Sequence, residues 1–288
     1  MICDTDPTSI NVAPLVDQVL LKDDRVFENM LSSELDSVKI DYCGRKESLI
    51  APHMRKIVTD WMFEVCEDQQ CQPEVFFLAV NYLDRYLSLV NITKNQFQLV
   101  ASTCLLLASK FSQVVPLSTE QLVIYTDNSV TVEELRQIEI NVLNALQWEL
   151  SSVTAHSFLE HFIPRLNLSN KVNIDRVKRN ADSIMATAAT EYQFLLTKPS
   201  MIASAALAIA VEEDLKDDIE AENVVKILSE KLKCNPSEIL FYVHHLVMLT
   251  KTYQNTFCTS SNTKVNSSKE AEITHFMTSI SEQTALAA

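Results

Sequence analysis

The chain has 288 residues, 47% of them hydrophobic, and a formal net charge of −14. This length suffices for one or two domains with buried cores, and so acidic a chain repels phosphate backbones, which argues against nucleic acid as a direct ligand. Gly44 is the only glycine, although an average content of about 7% would supply roughly 20. This excludes the glycine-rich turns of dinucleotide folds, P-loops and nucleophile elbows. Because sheets need glycine at hairpins and bulges whereas helices avoid it, the composition predicts an all-helical fold.

Cysteine usage and hydropathy narrow the class of protein further. The seven cysteines are scattered and the acidic N-terminus lacks a signal-peptide pattern, so we expect an intracellular protein with reduced thiols. The longest apolar stretches, 103–108 and 201–211, are far shorter than the ~20 residues that span a bilayer, so no membrane partner is expected. Two pairs of candidate metal ligands have a five-residue spacing that matches no usual site: Cys66 with Cys71, and His156 with His161. We therefore predict no metal, no cofactor and no catalytic residue.

The first half of the chain reads as a polar lead followed by helices. Residues 1–14 are expected to be flexible, and 15–51 have helical apolar spacing and then a loop, which predicts one N-terminal helix or two short ones. Apolar residues recur at offsets of 3, 4, 7, 8 and 11 from Met54, the stripe of an amphipathic helix that Pro52 suits as a starting residue. Further helices are predicted near 74–89, 95–112, 118–125 and 131–146, the last two with capping boxes.

The second half repeats this plan. Residues 95–112 are apolar on nearly every side, which is typical of a buried central helix, and 201–211 show the same pattern about 100 residues further on. Other helices are predicted near 155–164, 170–195, 220–232 and 236–254. We interpret the pattern as two similar five-helix units, followed by a polar tail at 256–288 that is expected to be disordered.

Four ordered segments carry a family resemblance: MRKIVTDWMFE at 54–64, AVNYLDRYLSL at 79–89, QLVASTCLLLASKF at 98–111 and LVIYTDN at 122–128. Together they resemble the cyclin box. Three stretches are similar in sequence to D-type cyclins in particular: WMFEVC at 61–66, QLVIYTDNS at 121–129 and TAHSFLEHF at 154–162. The resemblance covers about residues 20–255.

The resemblance implies two cyclin boxes of five helices each, at 52–150 and 151–255, preceded by an N-terminal helix. It implies a regulatory subunit of a protein serine/threonine kinase rather than an enzyme. Such a subunit binds and activates a cyclin-dependent kinase of the 4 or 6 class, promotes the G1/S transition through phosphorylation of retinoblastoma-family proteins, and resides in nucleus and cytoplasm.

The resemblance also assigns roles to individual residues. Lys110 and Glu139 match the pair with which the family contacts its kinase. Arg55 and Asp84 match an internal ion pair, which we expect to brace two helices. Six positions match the groove that captures substrate and inhibitor segments containing a basic residue and a leucine: Met54, Ile57, Val58, Trp61, Glu64 and Gln98. By periodicity alone, these six would be read as core packing.

Departures from the family pattern limit what is carried over. The chain begins MICDTD, without the L-x-C-x-E segment that docks the retinoblastoma pocket, and no Ser or Thr precedes any of the eight prolines. Ser112 and Gln113 stand where the family often has acidic residues. Two alternatives stay open: a cyclin-fold transcription regulator that touches DNA, which the −14 charge disfavours, and a scaffold or inhibitor that binds a kinase without activating it.

Overall fold

The computed structural model describes residues 17–36, 41–45, 48–166, 168, 171–215 and 218–260, with side chains at all of these except 35–36, 218–220 and 252–260. Within these ranges the chain forms α-helices and no strand, which confirms the predicted all-helical class. The helices are α1 (Gln18–Lys22), α2 (Asp24–Asp36), α3 (Pro52–Asp68), α4 (Pro73–Leu89), α5 (Lys94–Ser112), α6 (Thr119–Tyr125), α7 (Val132–Ala145), α8 (Ala155–Phe162), α9 (Ile174–Thr190), α10 (Pro199–Leu215), α11 (Asp218–Leu232) and α12 (Pro236–Ser260).

Each half of the chain is built around one buried helix. Helix α5 packs against α3, α4, α6 and α7, and helix α10 packs against α8, α9, α11 and α12. Every residue from Ser200 to Val211 of α10 is buried, and α5 is buried nearly as fully between Phe97 and Ser109. A helix that is apolar on all sides gains most from being surrounded, so these two helices form the centres of two five-helix repeats.

Short-range signals set most of the helix starts. Pro52 and Pro73 occupy the first turns of α3 and α4, where a missing backbone N–H costs nothing. Four consecutive helices, α5 to α8, begin with capping boxes whose first residues are Thr93, Ser118, Thr131 and Thr154. In each box two otherwise orphaned amides are satisfied by side chains, so these starts fall within one residue of their predicted positions.

Two helix ends differ from the prediction. The helix expected at 170–195 is α9, which stops at Thr190 and is followed by a 3₁₀ turn at Tyr192–Phe194. Helix α12 continues to Ser260, so residues 256–260, predicted to be disordered, are helical instead. Because Ser, Thr and Asn are only slightly poorer helix formers than Ala, a helix that is already nucleated can run on through them. The predicted lead at 1–14 and the rest of the predicted tail, 261–288, lie outside the described residues.

The N-terminal segment forms two helices that pack on the second repeat. Asp23 is extended between α1 and α2, and its carboxylate accepts the backbone N–H of Arg25 at 2.9 Å, which separates the two helices. Arg165 holds this segment by donating to the carbonyl oxygens of Leu21 and Asp23. Helices α1 and α2 also contact α8 and α10, respectively. Across the described ranges, none of the helices is both long and apolar enough to cross a bilayer.

Candidate functional site

A salt bridge between the two residues predicted to contact a kinase lies at the C-terminal end of α5. The Lys110 Nζ atom is 2.6 Å from Glu139 Oε1 on α7, and the Lys110 side chain is 45% exposed whereas that of Glu139 is 16% exposed. Exposed apolar side chains follow each member in sequence: Phe111, Val114, Val115 and Ile140. Exposed apolar side chains around a polar anchor are typical of a surface that binds another protein.

A buried serine fixes the chain where it leaves α5. The Ser109 hydroxyl donates to the Gln113 side-chain oxygen at 2.8 Å and accepts the backbone N–H of Leu117 at 2.6 Å. The Gln113 N–H in turn donates to the Ser109 carbonyl oxygen at 2.9 Å. These bonds stabilise the turn that follows Lys110 and therefore the position of the exposed apolar side chains. The sequence analysis missed this role of Ser109, although a small polar residue within an otherwise apolar helix is a usable signal.

The six residues assigned to the docking groove differ in how far they reach the surface. Met54, Val58 and Trp61 on α3 are buried, and Gln98 on α5 is 8% exposed. Ile57 is half-buried and Glu64 is exposed. Gln98 accepts a hydrogen bond from the Ser129 hydroxyl at 3.2 Å, which orients its amide. Of the six side chains, solvent therefore reaches mainly Ile57 and Glu64, and Trp61 is only 6% exposed.

Arg55 and Asp84 form a two-pronged ion pair between α3 and α4. Arg55 Nε and Nη2 donate to the two Asp84 oxygens at 2.9 and 2.8 Å, respectively. The Tyr42 hydroxyl, from the segment before α3, donates to the same carboxylate at 2.9 Å. All three side chains are buried, so the pairing satisfies polar groups that water does not reach.

Arg55 also crosses to the second repeat. Its Nη1 and Nη2 atoms donate to the carbonyl oxygens of Thr190 and Ala189 at 3.0 and 2.9 Å, at the end of α9. The last carbonyls of a helix have no partner within the helix, and the guanidinium supplies one while favouring the negative end of the helix dipole. This explains why α9 stops at Thr190 and not near residue 195. The sequence analysis predicted the bracing of two helices and missed this third one.

The protonation states of this cluster follow from burial and charge. Burial by itself lowers the pKa of Arg55, but attraction and hydrogen bonding from Asp84 outweigh it, so the net pKa is raised. Burial, reinforced by the negative charge of Asp84, raises the pKa of Tyr42 well above its usual value of 10.0. At neutral pH the guanidinium therefore stays charged and the phenol stays neutral, as the hydrogen bonds require.

A second polar cluster joins the repeats at the start of α8. The Glu74 carboxylate accepts from the hydroxyls of Thr154 and Ser157 at 3.0 and 3.2 Å, and burial raises its pKa. The adjacent His156 Nδ1 lies 2.7 Å from Asp182 Oδ1 on α9. Burial alone would lower the pKa of His156, but the hydrogen bond and charge of Asp182 outweigh it and raise the pKa.

The described residues contain no cluster of metal ligands: nowhere in these ranges do three or more His, Cys, Asp or Glu side chains gather as ligands would. The cavity between the two repeats, bordered by Arg55, Asn81 and Met185, has a volume of about 60 Å³. A larger, open cavity of about 350 Å³ is lined by Leu168, Asn223 and other residues of the second repeat.

The structure has two helical repeats, each with a buried central helix, and a polar pair lies at the exposed end of one of these helices. This arrangement defines a cyclin-type fold. Two family models match the chain: the cyclin N-terminal domain over residues 25–151 and the cyclin C-terminal domain over residues 153–279. The chain belongs to the cyclin family.

Curated relatives indicate which branch of the cyclin family this chain resembles. It is 42% identical to the G1/S-specific cyclin-D1 of Xenopus laevis over 220 residues, which is 74% of this chain and 75% of the relative. It is 43% identical to that of Danio rerio over 75% of this chain and 76% of the relative. It is 40% identical to that of Homo sapiens over 75% of both chains. The predicted resemblance to D-type cyclins is therefore confirmed.

Solved structures share the fold. A viral cyclin from herpesvirus saimiri superposes with a TM-score of 0.59 at 24% identity, covering 73% of this chain and 97% of the viral one. A chain of the CAK complex of Chaetomium thermophilum bound to ATP-gamma-S superposes with a TM-score of 0.55 at 14% identity, covering 91% and 84% of the two chains. At these identities the likeness concerns the fold alone.

Proposed function

We propose that this chain is a G1/S regulatory subunit that binds and activates a cyclin-dependent kinase of the 4 or 6 class. The observation that carries the proposal is the exposed Lys110–Glu139 pair with its apolar neighbours, on a chain that is 40–43% identical to G1/S-specific cyclin-D1 proteins. In this role the chain contributes no catalytic residue, and the kinase supplies the chemistry.

Activation follows from selective binding of one kinase conformation. An active kinase needs an ion pair between a strand lysine and a glutamate on its regulatory helix. A rigid surface that binds the helix only in its inward position shifts the population toward the active state. The end of α5 is suited to this because α7 and the bonds around Ser109 hold it in place. Lys110 and Glu139 are the residues that we expect to reach polar groups of the kinase.

We further propose that the α3 surface captures substrates and kinase inhibitors. Glu64 would pair with the basic residue of a docking segment, and Ile57 and the edge of Trp61 would receive its leucine. Gln98 and Lys110 are twelve residues apart on α5, or ~18 Å at the helical rise per residue. A peptide in the groove therefore leaves the kinase-binding end of α5 free, and both partners can be held at once. Retinoblastoma-family proteins are the substrates expected, in nucleus and cytoplasm.

Reconstitution with purified kinases tests the proposal. The chain is mixed with a panel of monomeric cyclin-dependent kinases, and phosphorylation of a retinoblastoma C-terminal fragment is followed. Activation of the G1 kinases alone is the expected result. Stable binding without activation would instead favour a scaffold or inhibitor. A salt-dependent shift of duplex DNA in the absence of kinase binding would favour a transcription regulator.

A further inference from the structure

Two cysteines occupy the paired positions of one helix-ending turn. Helix α3 ends in a turn in which Gln70 has a positive φ of 49°. The N–H of Cys71 donates to the carbonyl of Cys66 at 2.9 Å, and the N–H of Gln70 donates to that of Glu67 at 3.1 Å. These two hydrogen bonds form the Schellman motif, in which the side chains of the first and last residues frequently contact each other. The backbone bond alone holds the two Cα atoms roughly 5–6 Å apart, within the range of about 4.4–6.8 Å that a disulfide requires.

The same turn elsewhere in the chain provides an internal comparison. The N–H of Cys234 donates to the carbonyl of Ser229 at 3.1 Å, so this cysteine takes the place of Cys71 and a serine takes the place of Cys66. Cys234 is half-buried like Cys71. The two turns therefore have the same backbone hydrogen bond, and their cysteines are similarly exposed. They differ because the turn at Cys71 has a second thiol and the turn at Cys234 does not.

The two thiols differ in exposure and in pKa, and these differences make Cys71 the reactive thiol and Cys66 the resolving thiol. Cys66 is buried and Cys71 is half-buried. The pKa of Cys71 is lowered, first by a hydrogen bond from Cys66 and also by one from the Gln113 side chain, despite opposing burial. The other described cysteines have pKa values raised by burial: Cys43 (to about 11), Cys104 and Cys234. Cys71 is thus the described thiol that best supplies a thiolate at neutral pH.

We propose that Cys71 and Cys66 form a peroxide-responsive modification site that closes into an intramolecular disulfide. The Cys71 thiolate attacks one oxygen of hydrogen peroxide, the O–O bond breaks, and the departing hydroxide takes up a proton to give water. Cys71 is then a sulfenic acid. The Cys66 sulfur attacks it, the S–O bond breaks, and the leaving hydroxide takes the Cys66 proton to give a second water. The two thiols together lose two electrons, and these reduce the peroxide.

The site lies beside the kinase-facing end of α5. Gln113 hydrogen-bonds the Cys71 sulfur and also accepts from Ser109, the residue that fixes the turn after Lys110. A disulfide sulfur is a poorer acceptor than a thiolate, so closure weakens the hold on Gln113. Any resulting change in kinase activation rests on the proposed function. Formation of the disulfide does not, and the test below measures the disulfide alone.

The test oxidises the full chain with hydrogen peroxide, alkylates the remaining thiols and maps the peptides. Cleavage after Glu67 separates the two cysteines unless a disulfide joins them. Cys66→Ser should leave Cys71 as a sulfenic acid that a dimedone probe traps, and Cys71→Ser should leave Cys66 reduced. Because Cys66 is buried, circular dichroism must first show unchanged helical content in its variant. The Cys71→Ser arm changes a half-buried residue and does not depend on that variant. Cys234 serves as the matched control within the same sample.

The expected result is a Cys66–Cys71 disulfide that dithiothreitol reverses. Cys71 should oxidise at least about tenfold faster than Cys43. The pKa of Cys71 is lowered whereas that of Cys43 is raised, so Cys71 has the larger thiolate fraction at neutral pH, partly offset by its lower intrinsic nucleophilicity. Three outcomes would overturn the proposal: oxidation of Cys71 no faster than that of Cys43 or Cys234, linkage of Cys71 to another cysteine, or a Cys66 that oxidises equally well when Cys71 is serine.

Discussion

Side chains and carbonyl groups from α3, α4 and α9 meet at Arg55. Its guanidinium satisfies both oxygens of Asp84 and the terminal carbonyls of Ala189 and Thr190. Removing one member of a buried ion pair leaves the other charge without compensation, which is worse than never having buried the pair. Arg55 is therefore an important contributor to the contact between the two repeats.

Arg55→Ala should lower the free energy of unfolding by about 3–5 kcal/mol, because the buried Asp84 carboxylate loses its opposite charge and two carbonyls lose their donor. Arg55→Lys should also destabilise, since an ammonium cannot reproduce the planar fork. Urea unfolding followed by circular dichroism measures both. Arg179→Ala, at an exposed position of α9, is the control and should stay within about 0.5 kcal/mol of the wild type. A loss below about 1 kcal/mol for Arg55→Ala would show that the cluster does not brace the repeats.

Charge reversal at the groove separates substrate docking from kinase activation. Glu64→Lys should reduce phosphorylation of a substrate with a basic and leucine-containing docking segment by about 10–100-fold, the equivalent of one lost charge-assisted hydrogen bond. Phosphorylation of a short peptide without that segment should be unchanged, because the end of α5 is untouched. Glu222→Lys, at an exposed position of α11, is the matched control. Equal losses on both substrates would argue that Glu64 acts on the kinase or on folding and not on docking.

At the scale of elements, the helix starts that have capping boxes were predictable, whereas the ends of α9 and α12 were not. The starts of α6 and α7 depend on capping boxes four residues long, which the sequence displays directly. The end of α9 depends on Arg55, which lies more than a hundred residues earlier in the chain, so no local pattern indicates it. The end of α12 was predicted too early because composition favours disorder only weakly once a helix has formed.

The junction between α8 and α9 should respond to pH through His156. Its raised pKa means that its contribution to stability is fully present below the ordinary value of 6.5 and is lost as pH rises through the folded-state pKa. The free energy of unfolding should therefore fall as pH rises above about 6.5. In the Asp182→Asn variant the free energy of unfolding should change less steeply with pH, because the carboxylate that stabilises the protonated His156 is absent. This pH dependence is called the slope below. Glu74 and Glu160 also attract the imidazolium and should keep a small slope in that variant.

Urea unfolding at several pH values provides the measurement. His53→Asn, at an exposed position of α3, is the control for replacing a histidine outside this junction. If the Asp182→Asn variant and the wild type have the same slope, the pair does not carry the pH dependence.

At the scale of the whole molecule, the two-repeat architecture was predictable because it follows from composition and two all-apolar helices. A single glycine and the stretches 95–112 and 201–211 are properties of the sequence alone. The assignment of Lys110 and Glu139 came from motif resemblance, since a lysine near a helix end is otherwise an ordinary solvated residue favoured by the helix dipole. The roles of Tyr42 and Ser109 required the tertiary structure, because their partners are distant or set by a turn.

Lys110→Glu is the most direct test of whether the end of α5 binds and activates a kinase. Activation of a G1 kinase toward a retinoblastoma fragment should fall by at least about 30-fold, as expected when a charged anchor at an interface is lost, while circular dichroism shows intact helices. Lys94→Glu, at the exposed start of the same helix, should activate normally.

The charge-swapped variant, Lys110→Glu with Glu139→Lys, distinguishes the kinase contact from the internal salt bridge in the same assay. It restores the intramolecular pair and leaves the charges facing the kinase reversed, so activation should stay lost. Normal activation by Lys110→Glu, or full recovery in the swapped variant, would contradict the claim that these side chains contact the kinase.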